Sequence, residues 1–357
     1  MKHIRLSIVG FGVVGQGLAE LLYTKKDFLQ QQFDLAVTLV GVANAHYGFI
    51  YREDGLDIPM LLEMAASRQP ITQHPDVQHW EYALEGLQAT QADMLVEATG
   101  TNLHDAEPGM SHIRAALMKG MHVITANKGP VALAANDLLA LAQQQHVQLR
   151  MEATVMAGTP VLSTIQQGLA GSRVRVVRGI LNGTTNYILT AMAEGREYAE
   201  VLKEAQAQGY AEADPTADVE GYDAVAKILI LATLAFGHSL KPDQVLRQGI
   251  TSITKEQMVH AAHNHARIKL IASLKVASEL GNTPLEARVK PVEIPLSDPL
   301  AHVNGSMNAL TLQTDTLSSV TIIGPGAGRL ETGQGLLSDL IAIANTKVHQ
   351  SSLDNFS

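Results

Sequence analysis

Cysteine is absent from all 357 residues. That excludes disulfide staples, thiolate nucleophiles and cysteine-ligated zinc. Charge is sparse at 17%, and its formal balance of -9 leaves no basic footprint of the kind nucleic acid requires. No uninterrupted apolar run reaches the length of a membrane span. Met1-Lys2-His3-Ile4-Arg5 enters a short apolar run that lacks the longer apolar region and cleavage site of a signal peptide. A soluble, cytoplasmic chain is expected, with no nucleic-acid or membrane partner. Repeats and low-complexity tracts are also missing. What is plentiful is apolar material, 46% of the residues, in a chain long enough for two domains.

Ile4 to Val9 reads as a strand. It runs into Gly10-Phe11-Gly12-Val13-Val14-Gly15, and Gly17 to Leu22 follows with apolar residues at helical spacing. Strand, G-x-G-x-x-G and helix in that order point to dinucleotide binding. The first glycine allows a tight turn, the second a close approach to a pyrophosphate, and the third close packing of helix on strand. A purely structural glycine turn is the alternative.

Leu35 to Ala43 reads as the second strand, ending at Asn44, where an NAD-type pattern places an acid for the ribose hydroxyls. The uncharged residue admits a 2′-phosphate, so NADP and NAD both stay open. His46 to Pro59 reads as a loop, Leu61 to Ala66 as a helix, and Trp80 as a core or interface residue. Asp93 to Gly100 is a continuous apolar strand ending at Thr99. Met121 to Ala126 is another, delivering Asn127-Lys128-Gly129-Pro130 to the same edge, with Lys128 facing the cofactor crevice or simply solvated in a loop. With helices at Ser111 to Met118 and Leu133 to Gln144, and a strand at Val147 to Val155, the alternation implies an α/β fold. A doubly wound parallel sheet of Rossmann type over residues 1–150 is expected.

Residues 151–322 read as a second, α+β domain. Helices are expected at Val161 to Leu169, Asn186 to Ala193, Tyr198 to Gln206, Asp223 to Phe236 and Lys255 to Ser273. Strands are expected at Val174 to Leu181, Arg288 to Leu296, Ala309 to Gln313 and Ser318 to Ile323. A last helix within residues 325–350 follows Gly324-Pro325-Gly326-Ala327-Gly328, and Gln350 to Ser357 reads as a polar tail. Small and ionisable residues concentrate between Arg178 and Lys227. Asp223 and Lys227, four apart, share a helix face beside Ile228-Leu229-Ile230-Leu231. An ordinary ion pair on a capped surface helix is the competing explanation. His260, His263 and His265 read as solvated or interface residues, not a metal site.

In order along the chain stand VGFGVVG, TANKGP, EATVMAGTPV, RGILNGTTNYIL, GYAEADPTADVEGYDAVAK and GPGAG. Together these blocks resemble the homoserine dehydrogenases, over nearly the whole chain. The resemblance implies NAD(P)-dependent interconversion of L-homoserine and L-aspartate 4-semialdehyde, on the route from aspartate to threonine, methionine and isoleucine. It implies a cofactor domain completed by the C-terminal helix, and a catalytic domain that also forms a homodimer. Residue by residue, Phe11 to Val14 and Thr99 would contact the cofactor, with Lys128 at its nicotinamide end and Gly328 closing over it. Glu212 would take the substrate ammonium group. Asp218 and Lys227 would be catalytic, Asp223 and Lys128 would line the pocket, and Asn182 and Thr184 would reach the substrate carboxylate. Glu152, with the carbonyls of Val155, Ala157 and Thr159, is similar to the family's sodium site, whose donors suit a hard cation. Alternatively Glu152 only ties down the connection between domains. The sequence stops soon after its last helix, so no regulatory ACT domain and no threonine feedback through one are expected. A paralogue acting on another amino-acid aldehyde, and a nucleotide sensor without catalysis, are the other readings.

Overall fold

Lys2–Val9 (β1) is apolar at Leu6, Ile8 and Val9, all buried, and so takes the centre of a sheet covered on both faces. Around it stand Leu35–Asn44 (β2), Gly48–Tyr51 (β3), Gln78–Trp80 (β4), Met94–Glu97 (β5), His122–Thr125 (β6) and Leu149–Arg150 (β7). The order is β4-β3-β2-β1-β5-β6-β7. β2, β1, β5, β6 and β7 run parallel, and β3 and β4 are antiparallel additions at one edge. β1 is therefore the switch point: the chain goes to one side of it for β2 and to the other for β5. At such a point the loops part beyond the carboxyl ends of the strands and leave a crevice.

The computed structural model describes residues 1–276 and 285–353, which divide into one unit of Met1–Gly158 with the chain from Gly328 onward, and a second of Thr159–Ala327. Among the described residues no helix is long and apolar enough to cross a membrane. In the first unit, the helix Arg329–Leu353 inserts Leu336, Leu337, Leu340 and Ile343 into the core beside Leu6, Ile8 and Leu18. It approaches the helix Val13–Thr24 backbone to backbone. A Cβ on Gly17 would lie 2.1 Å from the Arg329 carbonyl oxygen, so only glycine fits. This helix extends past Gln350 to Leu353, where a polar tail was expected; the rest of that tail, 354–357, lies outside the described residues.

Two further expectations change in this unit. The stretch expected as a loop from His46 contains β3, whose Phe49 packs edge-on against Trp80 of β4. The strand expected at Val147 to Val155 shrinks to β7. Only Val123 and Ile124 of β6 offer it partners, and Ala153–Met156 turns helical against the C-terminal helix.

The second unit is built on Val174–Ile180 (β8), Leu246–Arg247 (β9), Ala266–Val276 (β10), Leu285–Pro295 (β11), Met307–Thr314 (β12) and Val320–Pro325 (β13), in the order β13-β12-β8-β10-β11-β9. The pairs are antiparallel except β9 with β11. The helix expected over Lys255 to Ser273 ends at His263. Asn264 and His265, the latter at φ 53°, break it, and β10 then pairs with β11 over its full length. The apolar spacing of Ile268, Leu270, Ile271 and Leu274 serves either period, and the long ladder decides for strand. The helices Gly183–Ala193 and Tyr222–Phe236 pack on β10. In the second of these, every residue from Ala224 to Thr233 is buried.

Lys269 of β10 is 2% exposed. Its amine donates to the Val303 carbonyl at 2.6 Å and to Asn186 Oδ1 at 3.0 Å, tying β10 to the helix Gly183–Ala193. Burial, with Arg267 adding to it, pulls its pKa down to about 8. Lys269→Met strands these acceptors, with Thr190 Oγ1 at 3.4 Å and Asn304 Oδ1 at 3.3 Å besides, and is expected to cost about 2 kcal/mol at neutral pH. The pH dependence has a definite sign. The folded value lies below the ~10.4 of an unfolded lysine, so the ionised amine opposes folding below the folded pKa and does so less as pH rises through that window. Urea unfolding of both proteins from neutral pH upward should show the wild type gaining on the variant across it. A constant difference would refute the assignment.

Candidate active site

At the crevice above β1, the three glycines of the turn meet different surroundings. Gly10 sits at φ 100°, and a Cβ there would fall 2.4 Å from the Ala98 carbonyl carbon. A Cβ on Gly15 would fall 2.4 Å from the Gly10 carbonyl oxygen, whereas one on Gly12 would meet nothing within 4 Å. Gly10 and Gly15 are thus required by the fold, and Gly12 borders open space. The main-chain N–H groups of Gly10 and Phe11 donate to the Ala43 carbonyl at 3.1 and 2.9 Å, fixing the turn to the end of β2. Gly12 caps the helix Val13–Thr24 without a side-chain hydrogen bond, and no acid stands in its first turn. That leaves a helix N-terminus with the free N–H groups and positive potential that hold a phosphate. Phe11 buries its ring in the core and Val14 packs against that core, whereas Val13 is exposed. Asn44 accepts from the His46 N–H at 2.9 Å and caps the turn after β2.

The neighbouring strand ends supply a polar network. Thr99, partly exposed, follows β5, and its N–H lies 3.3 Å from Glu97 Oε1. Asn127 caps the helix Lys128–Gln144 by accepting from Gly129 N–H at 3.0 Å, and its amide nitrogen donates to Thr99 Oγ1 at 3.1 Å. Lys128 is half-buried in the first turn of that helix. A cation there opposes the helix dipole, so helix stability does not explain its place. Gly328, at φ 138°, precedes the C-terminal helix in the same unit, and its carbonyl accepts from Thr332 N–H at 3.0 Å.

In the second unit, β8 runs out at Leu181-Asn182 into the helix Gly183–Ala193. Here the structure joins Asn182, Thr184, Asp218, Asp223 and Lys227 through hydrogen bonds. Lys227 is 6% exposed; its ammonium lies 2.8 Å from Asp223 Oδ2 and donates to the Leu181 carbonyl at 2.5 Å. Asn182 Oδ1 accepts from Thr185 N–H at 2.9 Å, which turns the amide nitrogen toward Asp218 Oδ1 at 2.7 Å and Asp223 Oδ2 at 3.1 Å. Thr184 Oγ1 lies 2.6 Å from the Tyr210 carbonyl and 3.0 Å from Asp218 Oδ2. Burial first, and the charge of Asp223 second, hold the Asp218 carboxyl above the ordinary carboxylate range.

Asn182 and Thr184, expected near the substrate carboxylate, hydrogen-bond within the protein. Their donors face Asp218, Asp223 and Tyr210 and organise the two carboxylates. Glu212 stands apart, exposed in the loop that Gln206 holds through the Glu212 carbonyl at 3.1 Å, and its carboxylate meets no partner among the described residues. Two groups carried no role in the reading of the sequence. The Leu181 carbonyl leaves no trace there, while an acid inside an otherwise apolar strand is the signal that could have found Glu97.

Glu152, Val155 and Ala157 lie in the first unit, on the short helix Ala153–Met156 and at its two ends, and Thr159 opens the second. Glu152 is buried, and its N–H donates to Asp339 Oδ2 at 2.8 Å. Burial, reinforced by the Glu152 charge, pushes the Asp339 carboxyl up to about 7. Among the described residues no three His, Cys, Asp or Glu gather to hold a metal. A cation here would rest on a carboxylate and carbonyl oxygens, a donor set for an alkali cation and not for zinc.

Residues 10–152 match the family model described as homoserine dehydrogenase, NAD binding domain, and residues 160–341 match that described as homoserine dehydrogenase. The chain belongs to the homoserine dehydrogenase family. It is 39% identical to an NAD(+)-dependent homoserine dehydrogenase from Pseudomonas canavaninivorans, over 99% of this chain and 98% of that one. It is 38% identical to a homoserine dehydrogenase from Methanocaldococcus jannaschii, over 95% and 98%. A hyperthermophilic archaeal homoserine dehydrogenase mutant, solved in complex with NADPH, superposes with a TM-score of 0.82 at 27% identity, covering 97% of this chain and 98% of that one.

The unequal surroundings of the glycines separate fold from cofactor binding in this family member. Gly12→Ala should leave the melting temperature within a degree or two and weaken NAD(P)H binding about tenfold or more, whereas Gly10→Ala should lower stability by about 3 kcal/mol or more. Calorimetric binding and thermal unfolding of the two variants check this. Equal effects of both on stability would count against it.

Proposed function

We propose that the protein interconverts L-homoserine and L-aspartate 4-semialdehyde with NAD or NADP. The observation that carries this reading is the buried Lys227 ammonium, held between Asp223 and the Leu181 carbonyl with Asp218 alongside. When bound, the reduced nicotinamide cofactor supplies the hydride. The protein's part is to hold the amino acid and manage charge and proton. Two of the Lys227 N–H groups are committed to its partners, and the third is left for the substrate oxygen. As that oxygen gains negative charge, the N–H stabilises it and passes it a proton. Asp218, whose carboxyl burial keeps above the ordinary range, orders the water that restores the lysine's proton. Glu212 is assigned to the substrate ammonium, which its unpartnered carboxylate would bind by a charge-assisted contact. Lys128 is assigned to the nicotinamide end of the crevice. A competing sequence, in which Lys227 only binds the oxygen and water delivers the proton, uses the same residues.

Within the same proposal, Glu152 and the carbonyls of Val155 and Ala157 take a sodium ion. Replacing sodium by choline at constant ionic strength should then lower the melting temperature by a few degrees, and no response removes the ion from the account.

The purified protein should reduce NAD+ or NADP+ only when L-homoserine is supplied. Lys227→Ala should lower turnover by about a thousandfold, the scale of proton transfer and charge stabilisation combined, with NAD(P)H binding unchanged. No activity on homoserine with either cofactor would overturn the substrate, and full activity in the variant would overturn the mechanism.

A further inference from the structure

The network at the end of β5 fixes the direction of a single proton. Asn127 Oδ1 accepts from the Gly129 main-chain N–H at 3.0 Å, so that atom is the oxygen. The other side of the amide is its NH2, which donates to Thr99 Oγ1 at 3.1 Å and reaches the Gly100 carbonyl at 3.4 Å. Glycine at 109 is what gives that NH2 room, since a Cβ there would fall 2.5 Å from it. Thr99 Oγ1 also hydrogen-bonds Glu97 Oε1. That oxygen lies 3.3 Å from Thr99 N–H as well. A main-chain N–H can only donate, so Oε1 accepts from it. Glu97 is fully buried, and among the described residues neither its Oε2 nor His112 Nδ1, 3.6 Å from Oε1, makes a hydrogen bond.

Thr99 therefore donates inward to Glu97 and accepts from Asn127. A hydroxyl has one proton and two lone pairs. What Thr99 has left for the crevice is one lone pair, so it can only accept there.

We propose that Glu97 is a positioning residue that makes Thr99 an obligate acceptor, so that Thr99 takes the NH2 of the nicotinamide carboxamide and rejects rings that lack this donor. The proposal rests on the reading of Thr99 as a cofactor contact. It adds the orientation of the carboxamide and the residue that sets it.

The test compares binding of the reduced cofactor with that of its reduced 3-acetylpyridine analogue, whose methyl ketone replaces the carboxamide. Titration calorimetry without homoserine gives the two affinities. The wild type should prefer the carboxamide by about tenfold, the worth of one well-placed hydrogen bond. Glu97→Leu frees the Thr99 proton to turn outward and donate to the ketone, and should bring the ratio to within about twofold of unity. Glu97→Gln keeps a carbonyl oxygen at the Oε1 position and should retain the wild-type preference. A merely structural role for Glu97 would weaken both ligands alike and leave the ratio unmoved. Thr99→Val should also bring the ratio toward unity, by weakening the carboxamide form alone.

If Thr99→Val changes the ratio and a folded Glu97→Leu does not, the proposal fails and the cofactor contact stands. If Thr99→Val leaves both affinities unchanged, the contact fails and takes the proposal with it. A wild-type ratio near unity overturns the proposal without any variant, so the test survives a Glu97→Leu protein that does not fold.

Discussion

A buried ammonium has to be answered by oxygen, and the second unit is arranged around that requirement. Lys227 lies in the helix Tyr222–Phe236, among residues buried from Ala224 to Thr233. An ion left unpaired in such a place would cost several kcal/mol. Asp223, one turn earlier on the same helix, answers the charge, and the Leu181 carbonyl answers it from the end of β8. That carbonyl is available because β8 has just ended and the next helix has not begun. The strand end, the helix start and the lysine are therefore one constraint. Moving β8 by a single residue would present a different carbonyl and turn Asn182 away from the carboxylates.

Asp218 shows what the arrangement leaves unresolved energetically. Asp223 sits against the lysine, and Asp218 is half-buried beside Asp223, with the Asn182 amide, the Thr184 hydroxyl and the Lys227 charge softening the repulsion. Two carboxyls with unequal environments part in their proton affinity. Such unequal pairs are common where protons are handled. The same imbalance argues against the plain ion-pair explanation of the Asp223–Lys227 spacing, since a surface pair needs no second carboxylate.

Much of this was legible in the sequence because local chemistry and long-range packing asked for the same residues. The G-x-G-x-x-G turn is one case: Gly10 and Gly15 are demanded by backbone contacts and Gly12 by the open crevice, and all three demands read as glycine. Within the run Asp93 to Gly100, the segment Met94–Glu97 was legible as a buried strand because a parallel strand covered on both faces is largely apolar. The failures have equally local causes. Ile268, Leu270, Ile271 and Leu274 satisfy a helical and an extended spacing at once, and only the partner strand β11, distant in sequence, breaks the tie. The hydrogen bonds of Asn182 and Thr184 could not be foreseen, because a sequence shows which polar groups exist but not which partners they meet. Both side chains are consumed within the protein.

One device recurs in the two units and explains why asparagine stands at both strand ends. Asn127 and Asn182 each follow a strand and cap the helix after it, accepting from Gly129 N–H and Thr185 N–H respectively. Serine, threonine or aspartate would cap nearly as well. None of them would then have an amide NH2 to offer. The cap fixes which side of the amide is oxygen, because a main-chain N–H cannot accept, and the NH2 is aimed by default. In the second unit it is aimed at Asp218 and Asp223, where an aspartate cap would set a third carboxylate against two. In the first it is aimed at Thr99, where it takes one lone pair while the hydroxyl's proton goes to Glu97. Helix capping alone would permit several residues at either position. Capping while delivering a donor to the groups beyond the strand end permits one, and so the choice of asparagine belongs to the chemistry of the site more than to the stability of the helix.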